Sequence, residues 1–163
     1  MATHSLNHYP ARSELPRWIL TGVISGAVSV LLFHQGAAAL LYSWGVVPNP
    51  PYVLEPTQPF GVPVLWSMAF WGAVWGAVLA ASLGRLDGAA LVFASAAFGA
   101  VLPTLVVWLV VAPLKDRPVV LAVALIVNAA WGLGTGLGLA LFGRGNHARE
   151  TRSPPRARES ARR

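Results

Sequence analysis

Cysteine is absent from the 163 residues of this chain, and charged residues make up only 11% of them. Without cysteine, the protein has no disulfide framework, no thiolate nucleophile and no thiolate metal site. Soluble domains usually carry about 25% charged residues. The low content of charge therefore argues against a water-soluble fold.

Hydrophobic residues are abundant instead: they make up 55% of the chain, and the mean hydropathy is +0.58. They predict an all-α fold, a four-helix transmembrane bundle over residues 17–143, because each uncharged stretch is long enough to cross a bilayer. The spans are expected at about 18–47, 61–83, 89–111 and 119–142. A cleaved signal peptide is the competing interpretation of the first span, but its apolar run exceeds the roughly 7 to 15 residues of such peptides.

Three further segments lie outside the spans. Residues 1–16 are polar and predict a short mobile arm, and residues 48–60 contain five prolines, which favour an extended loop outside the hydrocarbon. Residues 144–163 predict a disordered cytoplasmic tail. This tail is expected to bind anionic lipid headgroups rather than nucleic acid, through seven arginines: Arg144, Arg149, Arg152, Arg156, Arg158, Arg162 and Arg163.

Basic residues predict that both termini are cytoplasmic. In that orientation ten of the 12 Lys and Arg residues, including Arg12, Arg17 and Arg85, lie inside, as the positive-inside rule requires. Aromatic residues are then expected at the two interfaces: Trp18 at the inner one, and Tyr42, Trp44 and Trp66 at the outer one.

Glycines four residues apart recur within the spans. Such pairs let helix backbones approach closely in lipid, and they predict helix contacts within the chain, with a second copy, or with a membrane-protein partner. The pairs are Gly22 with Gly26, Gly72 with Gly76, Gly132 with Gly136, and Gly134 with Gly138. The Trp-Gly sequences that begin at Trp71 and Trp131 also suggest a tandem duplication of a two-helix unit.

Polar side chains within the spans form a predicted cluster in the outer half of the membrane: His34, Gln35, Ser67, Thr104 and Asn128. His34 is the only ionisable side chain deep within a span, which makes it a candidate functional site. Two interpretations stay open: a structural hydrogen bond to Asn128 or a carbonyl, or a site for a ligand or a proton. A lone histidine predicts no metal site and no cofactor, and the sequence lacks the residue sets of common enzymes.

Three short sequences carry a resemblance: Phe33-His34-Gln35-Gly36, Pro59-Phe60-Gly61-Val62-Pro63 and Phe70-Trp71-Gly72. Over about residues 18–142 the chain resembles a group of small, uncharacterised four-helix bacterial inner-membrane proteins. The resemblance implies a four-helix architecture and a bacterial inner membrane, and it brings no activity, substrate or cofactor.

The sequence therefore favours a structural, accessory or assembly component of a membrane that is not an enzyme. The alternative is a small transporter or channel that uses the polar cluster around His34.

Overall fold

The computed structural model describes residues 15–116 and 119–143. In that part of the chain, four helices are long and apolar enough to cross a membrane: α1 (Leu15–Ser43), α2 (Val64–Leu83), α3 (Gly88–Leu114) and α4 (Leu121–Gly143). They confirm the prediction of an all-α, four-helix transmembrane bundle. The predicted tail and residues 1–14 of the predicted arm lie outside the described residues.

Helix α1 ends four residues before its predicted boundary, because a glycine caps it. Gly45 has a positive φ of 71°, which glycine adopts without steric cost. Its N–H donates to the Tyr42 carbonyl at 3.0 Å, and the Val46 N–H donates to the Leu41 carbonyl at 2.9 Å. This pattern is a Schellman motif, which satisfies carbonyls that the helix end leaves without partners.

The connection between α1 and α2, residues 44–63, contains a short antiparallel hairpin. Strand β1 (Pro56–Thr57) pairs with strand β2 (Val62–Pro63), so α2 begins at Val64 rather than at the predicted residue 61. The loop is also bonded to the start of α2. The Val64 N–H donates to the Glu55 carbonyl at 3.0 Å, and the Leu65 N–H donates to the Val53 carbonyl at 3.1 Å.

The helices associate as two close pairs, α1 with α2 and α3 with α4. Helices α1 and α4 also touch along their length, whereas α2 and α3 make few contacts. Trp75 of α2 reaches Phe98 of α3, with ring centroids 6.0 Å apart in an edge-on arrangement. The core shared by the four helices consists of Trp18, Val30, Leu79, Ala80, Leu91, Trp131 and Leu139.

Glycines form the contact between α1 and α2, here called the α1–α2 seam (Gly22, Gly26, Gly72 and Gly76). A Cβ added to Gly26 would lie 2.9 Å from the Cα of Gly76 and would collide with the Gly72 carbonyl. A Cβ added to Gly22 would meet the Gly76 carbonyl and the side chain of Ala80. Both backbones therefore approach to a distance that only glycine permits at these positions.

Small residues also form the contact between α3 and α4, the α3–α4 seam (Ser95, Gly99, Gly132 and Gly136). A Cβ added to Gly99 would lie 2.9 Å from the Cα of Gly132, and a Cβ added to Gly132 would lie 3.1 Å from the Cα of Gly99. Gly136 packs against Ser95. Gly132 and Gly136 of α4 thus face α3, where Ser95 stands at the position that glycine occupies in the other pairs.

The two seams repeat one geometry. The Gly26–Gly76 and Gly99–Gly132 contacts have the same Cβ-to-Cα separation of 2.9 Å. The pattern of buried and exposed residues over 18–28 also recurs, residue by residue, over 91–101. A tandem duplication of a two-helix unit would produce this arrangement. In this arrangement Gly76 is equivalent to Gly132, so Trp75 is equivalent to Trp131. The sequence comparison had paired Trp71 with Trp131 instead.

One of the four aromatic residues predicted at the interfaces, Trp18, is buried between helices. Tyr42, Trp44 and Trp66 are exposed, but Trp18 has only 1% of its surface accessible. Its Nε1–H donates to the Ala80 carbonyl of α2 at 2.8 Å, and its ring covers Gly143 at the end of α4. Trp18 therefore joins α1 to α2 and to the end of α4.

Replacing Gly26 or Gly99 with alanine should destabilise the bundle. The added methyl group meets backbone in either seam, and overpacking of this kind typically costs about 1–3 kcal/mol. Gly36→Ala is the matched control, since no atom beyond its own turns of α1 lies within 4 Å of a Cβ at this position and alanine raises helix propensity. Thermal unfolding in a mild detergent measures the effect. Equal unfolding temperatures for all three variants would contradict both seams.

Candidate functional site

The predicted polar cluster separates into two places. Asn128 of α4 and Thr104 of α3 lie between these helices: the Asn128 Nδ2 donates to the Thr104 Oγ1 at 2.9 Å. The Thr104 hydroxyl donates in turn to the Ala124 carbonyl at 3.3 Å. Thr104 is 1% exposed. These polar groups therefore join α3 to α4, beyond the end of the α3–α4 seam.

Gln35 lies in the second place, where α1 contacts the loop. It is 5% exposed, and its Oε1 accepts the backbone N–H of Tyr52 at 2.7 Å. Its Nε2 donates to the Met68 Sδ of α2 at 3.7 Å, a weak partner for an amide donor. The preceding residue of α2, Ser67, is half-buried and forms no side-chain hydrogen bond within the described part of the chain.

Tyr52 makes a second bond to α1, which the sequence did not suggest. Its hydroxyl donates to the Leu31 carbonyl at 3.1 Å. Leu31 belongs to a π-helical segment, Val30–His34, within α1, and such wide turns often occur at functional sites. Tyr52 itself has a left-handed backbone, with φ of 58°. That conformation costs roughly 1–3 kcal/mol in a residue with a side chain, and its surroundings must hold it.

His34 is the last residue of the π-helical segment, and its contacts differ from those of Gln35, Thr104 and Asn128. Its Nδ1 is buried and has no hydrogen-bond partner among residues 15–116 and 119–143. The neutral ring carries one donor and one acceptor nitrogen, and a buried polar atom without a partner costs about 1–3 kcal/mol. Asn128, the partner suggested by the sequence, donates to Thr104 instead.

Tryptophan and serine provide the interior hydrogen bonds that sequence reasoning missed. The Trp131 Nε1–H donates to the Gly26 carbonyl at 2.9 Å, and the Ser29 hydroxyl donates to the Trp131 carbonyl at 2.6 Å. A Cβ on Gly72 would lie 3.3 Å from the Trp131 Nε1. Trp131 of α4 therefore reaches both helices of the α1–α2 seam. The sequence contains the Trp-Gly pair at residues 131–132, but it does not reveal the direction in which the indole points.

The remaining predicted glycines of α4 also face a helix. Gly134 packs against Phe33 and Ser29 of α1, and Gly138 packs against Ser25. Within the described ranges, no three His, Asp or Glu side chains gather as they would around a metal ion. The seven arginines of the tail lie outside those ranges.

The chain matches no protein-family model, no curated protein and no solved structure. The function of the protein is therefore inferred from its own contacts.

Substitutions should separate His34 from the polar residues that join helices. Thr104→Val removes the acceptor of the Asn128 amide and should lower the unfolding free energy by about 1 kcal/mol, within the range measured for hydrogen bonds between membrane helices. His34→Leu should cause no loss, because it removes a buried atom that has no partner. Equilibrium unfolding in detergent micelles measures both values.

Thr21→Val is the matched control for loss of a hydroxyl, since the Thr21 Oγ1 bonds only within its own helix, to the Arg17 carbonyl at 2.9 Å. A His34→Leu variant as unstable as Thr104→Val would show that His34 holds helices together.

Proposed function

We propose that this multi-pass membrane protein is a structural or assembly component of the membrane and not an enzyme. The proposal rests on the hydrogen bonds that the buried polar groups form. Between the helices, the indoles of Trp18 and Trp131, the hydroxyl of Ser29 and the Thr104–Asn128 pair are all bonded to neighbouring helices. These groups hold the bundle together and are not free to bind a substrate.

The seams support the same role. The paired glycines of α1, α2 and α4 are in contact with other helices of this chain, so they are not available to a partner. An assembly role then requires the outward faces, which carry large apolar side chains such as Phe70, Trp71 and Phe93. The partner is a second copy or another membrane protein, and the arginine tail adds binding to anionic headgroups, about 1 kcal/mol for each basic residue near the surface.

We infer the location and the orientation from the sequence. The resemblance to small four-helix inner-membrane proteins supports a bacterial inner membrane, and the basic residues support cytoplasmic termini. The loop end of the bundle, where residues 44–63 join α1 to α2, then faces the exterior.

Orientation can be tested with single cysteines, because the chain has none of its own. Glu55→Cys should react with a membrane-impermeant thiol reagent on intact cells, and Ser160→Cys should react only after the cells are lysed. Reaction of residue 160 and not of residue 55 on intact cells would reverse the proposed orientation.

Assembly can be tested by purification in a mild detergent after cross-linking in the native membrane. The protein should be recovered in a complex of defined stoichiometry, whose mass is measured by light scattering. Recovery of a monomer alone, both with and without cross-linking, would contradict an assembly role.

A small transporter or channel is the second candidate function, and the unpartnered Nδ1 of His34 favours it. In proteoliposomes, proton or solute flux that is present in the native protein and absent in His34→Gln would support this function. Glutamine keeps a donor and an acceptor but cannot take up a proton.

A further inference from the structure

Helix α1 projects beyond α2 at the loop end of the bundle. It has 29 residues, whereas α2 has 20. In the α1–α2 seam, Gly26 lies opposite residues 72–76. Because the two helices run in opposite directions, Val64 at the start of α2 is level with about Gly36 of α1. From that level α1 extends roughly 10 Å further, to Ser43, at a rise of about 1.5 Å per residue.

The loop returns along this projecting part of α1. The Tyr52 N–H donates to the Gln35 Oε1 at 2.7 Å, and the Tyr52 hydroxyl donates to the Leu31 carbonyl at 3.1 Å. Gln35 and Leu31 precede the last residue of α1 by eight and twelve residues. The next loop residue, Val53, accepts the N–H of Leu65, the second residue of α2. The chain that follows α1 therefore reverses and descends roughly 10 Å beside it.

Tyr52 contacts α1 at a depth that belongs to the hydrocarbon. Arg17 is the last Lys, Arg, Asp or Glu residue before Glu55, and an arginine at the end of a span lies at the membrane surface. Leu31 and Gln35 follow Arg17 by 14 and 18 residues, which is about 21 and 27 Å along an upright helix, and a tilt of the helix shortens both heights. The hydrocarbon is about 30 Å thick, so both partners of Tyr52 lie within it.

The backbone of the returning chain suits this depth. Non-helical backbone is tolerated there where its polar groups have partners in the protein. The N–H of Tyr52 and the carbonyls of Val53 and Glu55 are bonded to α1 or α2. Proline has no N–H to satisfy, and three prolines precede Tyr52: Pro48, Pro50 and Pro51. The proline content, which predicted a loop outside the hydrocarbon, therefore also suits a segment inside it.

We propose that residues 50–55 are a re-entrant segment in the leaflet at the loop end of the bundle, where Tyr52 and Leu54 contact lipid acyl chains. These side chains are 47% and 61% exposed, and they continue the exposed apolar surface of α2. Glu55 is the one charged residue of the loop. Its carbonyl accepts the N–H of Val64, which places it level with the end of α2, where a carboxylate stays hydrated. The inference goes beyond the assembly role and does not depend on the orientation of the chain.

Spin labels on single cysteines can test this position, because the chain has no cysteine of its own. The variants are Leu54→Cys in the loop and, as the matched control, Ser43→Cys at the end of α1. Both side chains are exposed, so both variants should keep the fold, which circular dichroism checks. In lipid bilayers, collisions with oxygen report the hydrocarbon, and collisions with a water-soluble nickel chelate report the aqueous phase.

The ratio of the oxygen to the nickel collision rate should be higher at Leu54 than at Ser43, because Leu54 lies roughly 10 Å deeper. Phe70→Cys, on the exposed face of α2, gives the ratio of a label in lipid, and Leu54 should lie between it and Ser43. A loop outside the hydrocarbon reverses the order of Leu54 and Ser43.

Two results would overturn the proposal. A ratio at Leu54 equal to or below that at Ser43 would place the loop in water. Low collision rates of the Leu54 label with both reagents would show that a protein covers this side chain, so that lipid does not contact it. Neither result bears on the mass of a complex or on flux, and so failure of the re-entrant segment is distinct from failure of the assembly role or of the transporter function.

Discussion

The direct approach of glycine backbones is the contact on which the rest of this structure depends. In lipid, apolar side chains gain little by leaving the hydrocarbon for one another, so helices associate through close packing and hydrogen bonds. Gly26 with Gly76, and Gly99 with Gly132, bring each helix pair to a separation that a methyl group would prevent. Across the α1–α2 pair, the indole of Trp18 reaches the Ala80 carbonyl, and the indole of Trp131 joins α4 to the Gly26 carbonyl of α1.

The same packing accounts for the contrast between the interior and the loop end. Between the helices, polar groups find partners because the backbones are close, as the Ser29 and Asn128 bonds show. Toward the loop end, α1 widens into a π-helical segment and contacts the loop through Tyr52. His34 lies there, in the part of the bundle that the seams do not reach. An interior that holds the chain's own helices together therefore still contains one buried polar atom without a partner among the described residues.

Much of the architecture could be predicted from the sequence, because long uncharged stretches and glycines four residues apart each have one dominant physical meaning in lipid. Helix ends were less predictable, since the cap at Gly45 and the hairpin before Val64 depend on backbone geometry. Gly99 was not predicted to lie at a helix contact, because the residue four positions before it is Ser95 and the two do not form a pair of glycines. The Tyr52 contacts could not be predicted, because they join residues of a loop and a helix that no sequence spacing relates.

Solid-state NMR of the protein in lipid bilayers tests the central claim most directly. With glycine Cα carbons labelled, the account predicts short-range cross-peaks between Gly26 and Gly76 and between Gly99 and Gly132, of similar intensity because the two contacts share one geometry. Absence of either cross-peak, in a sample whose helical signals are intact, would contradict a bundle built on two equivalent seams.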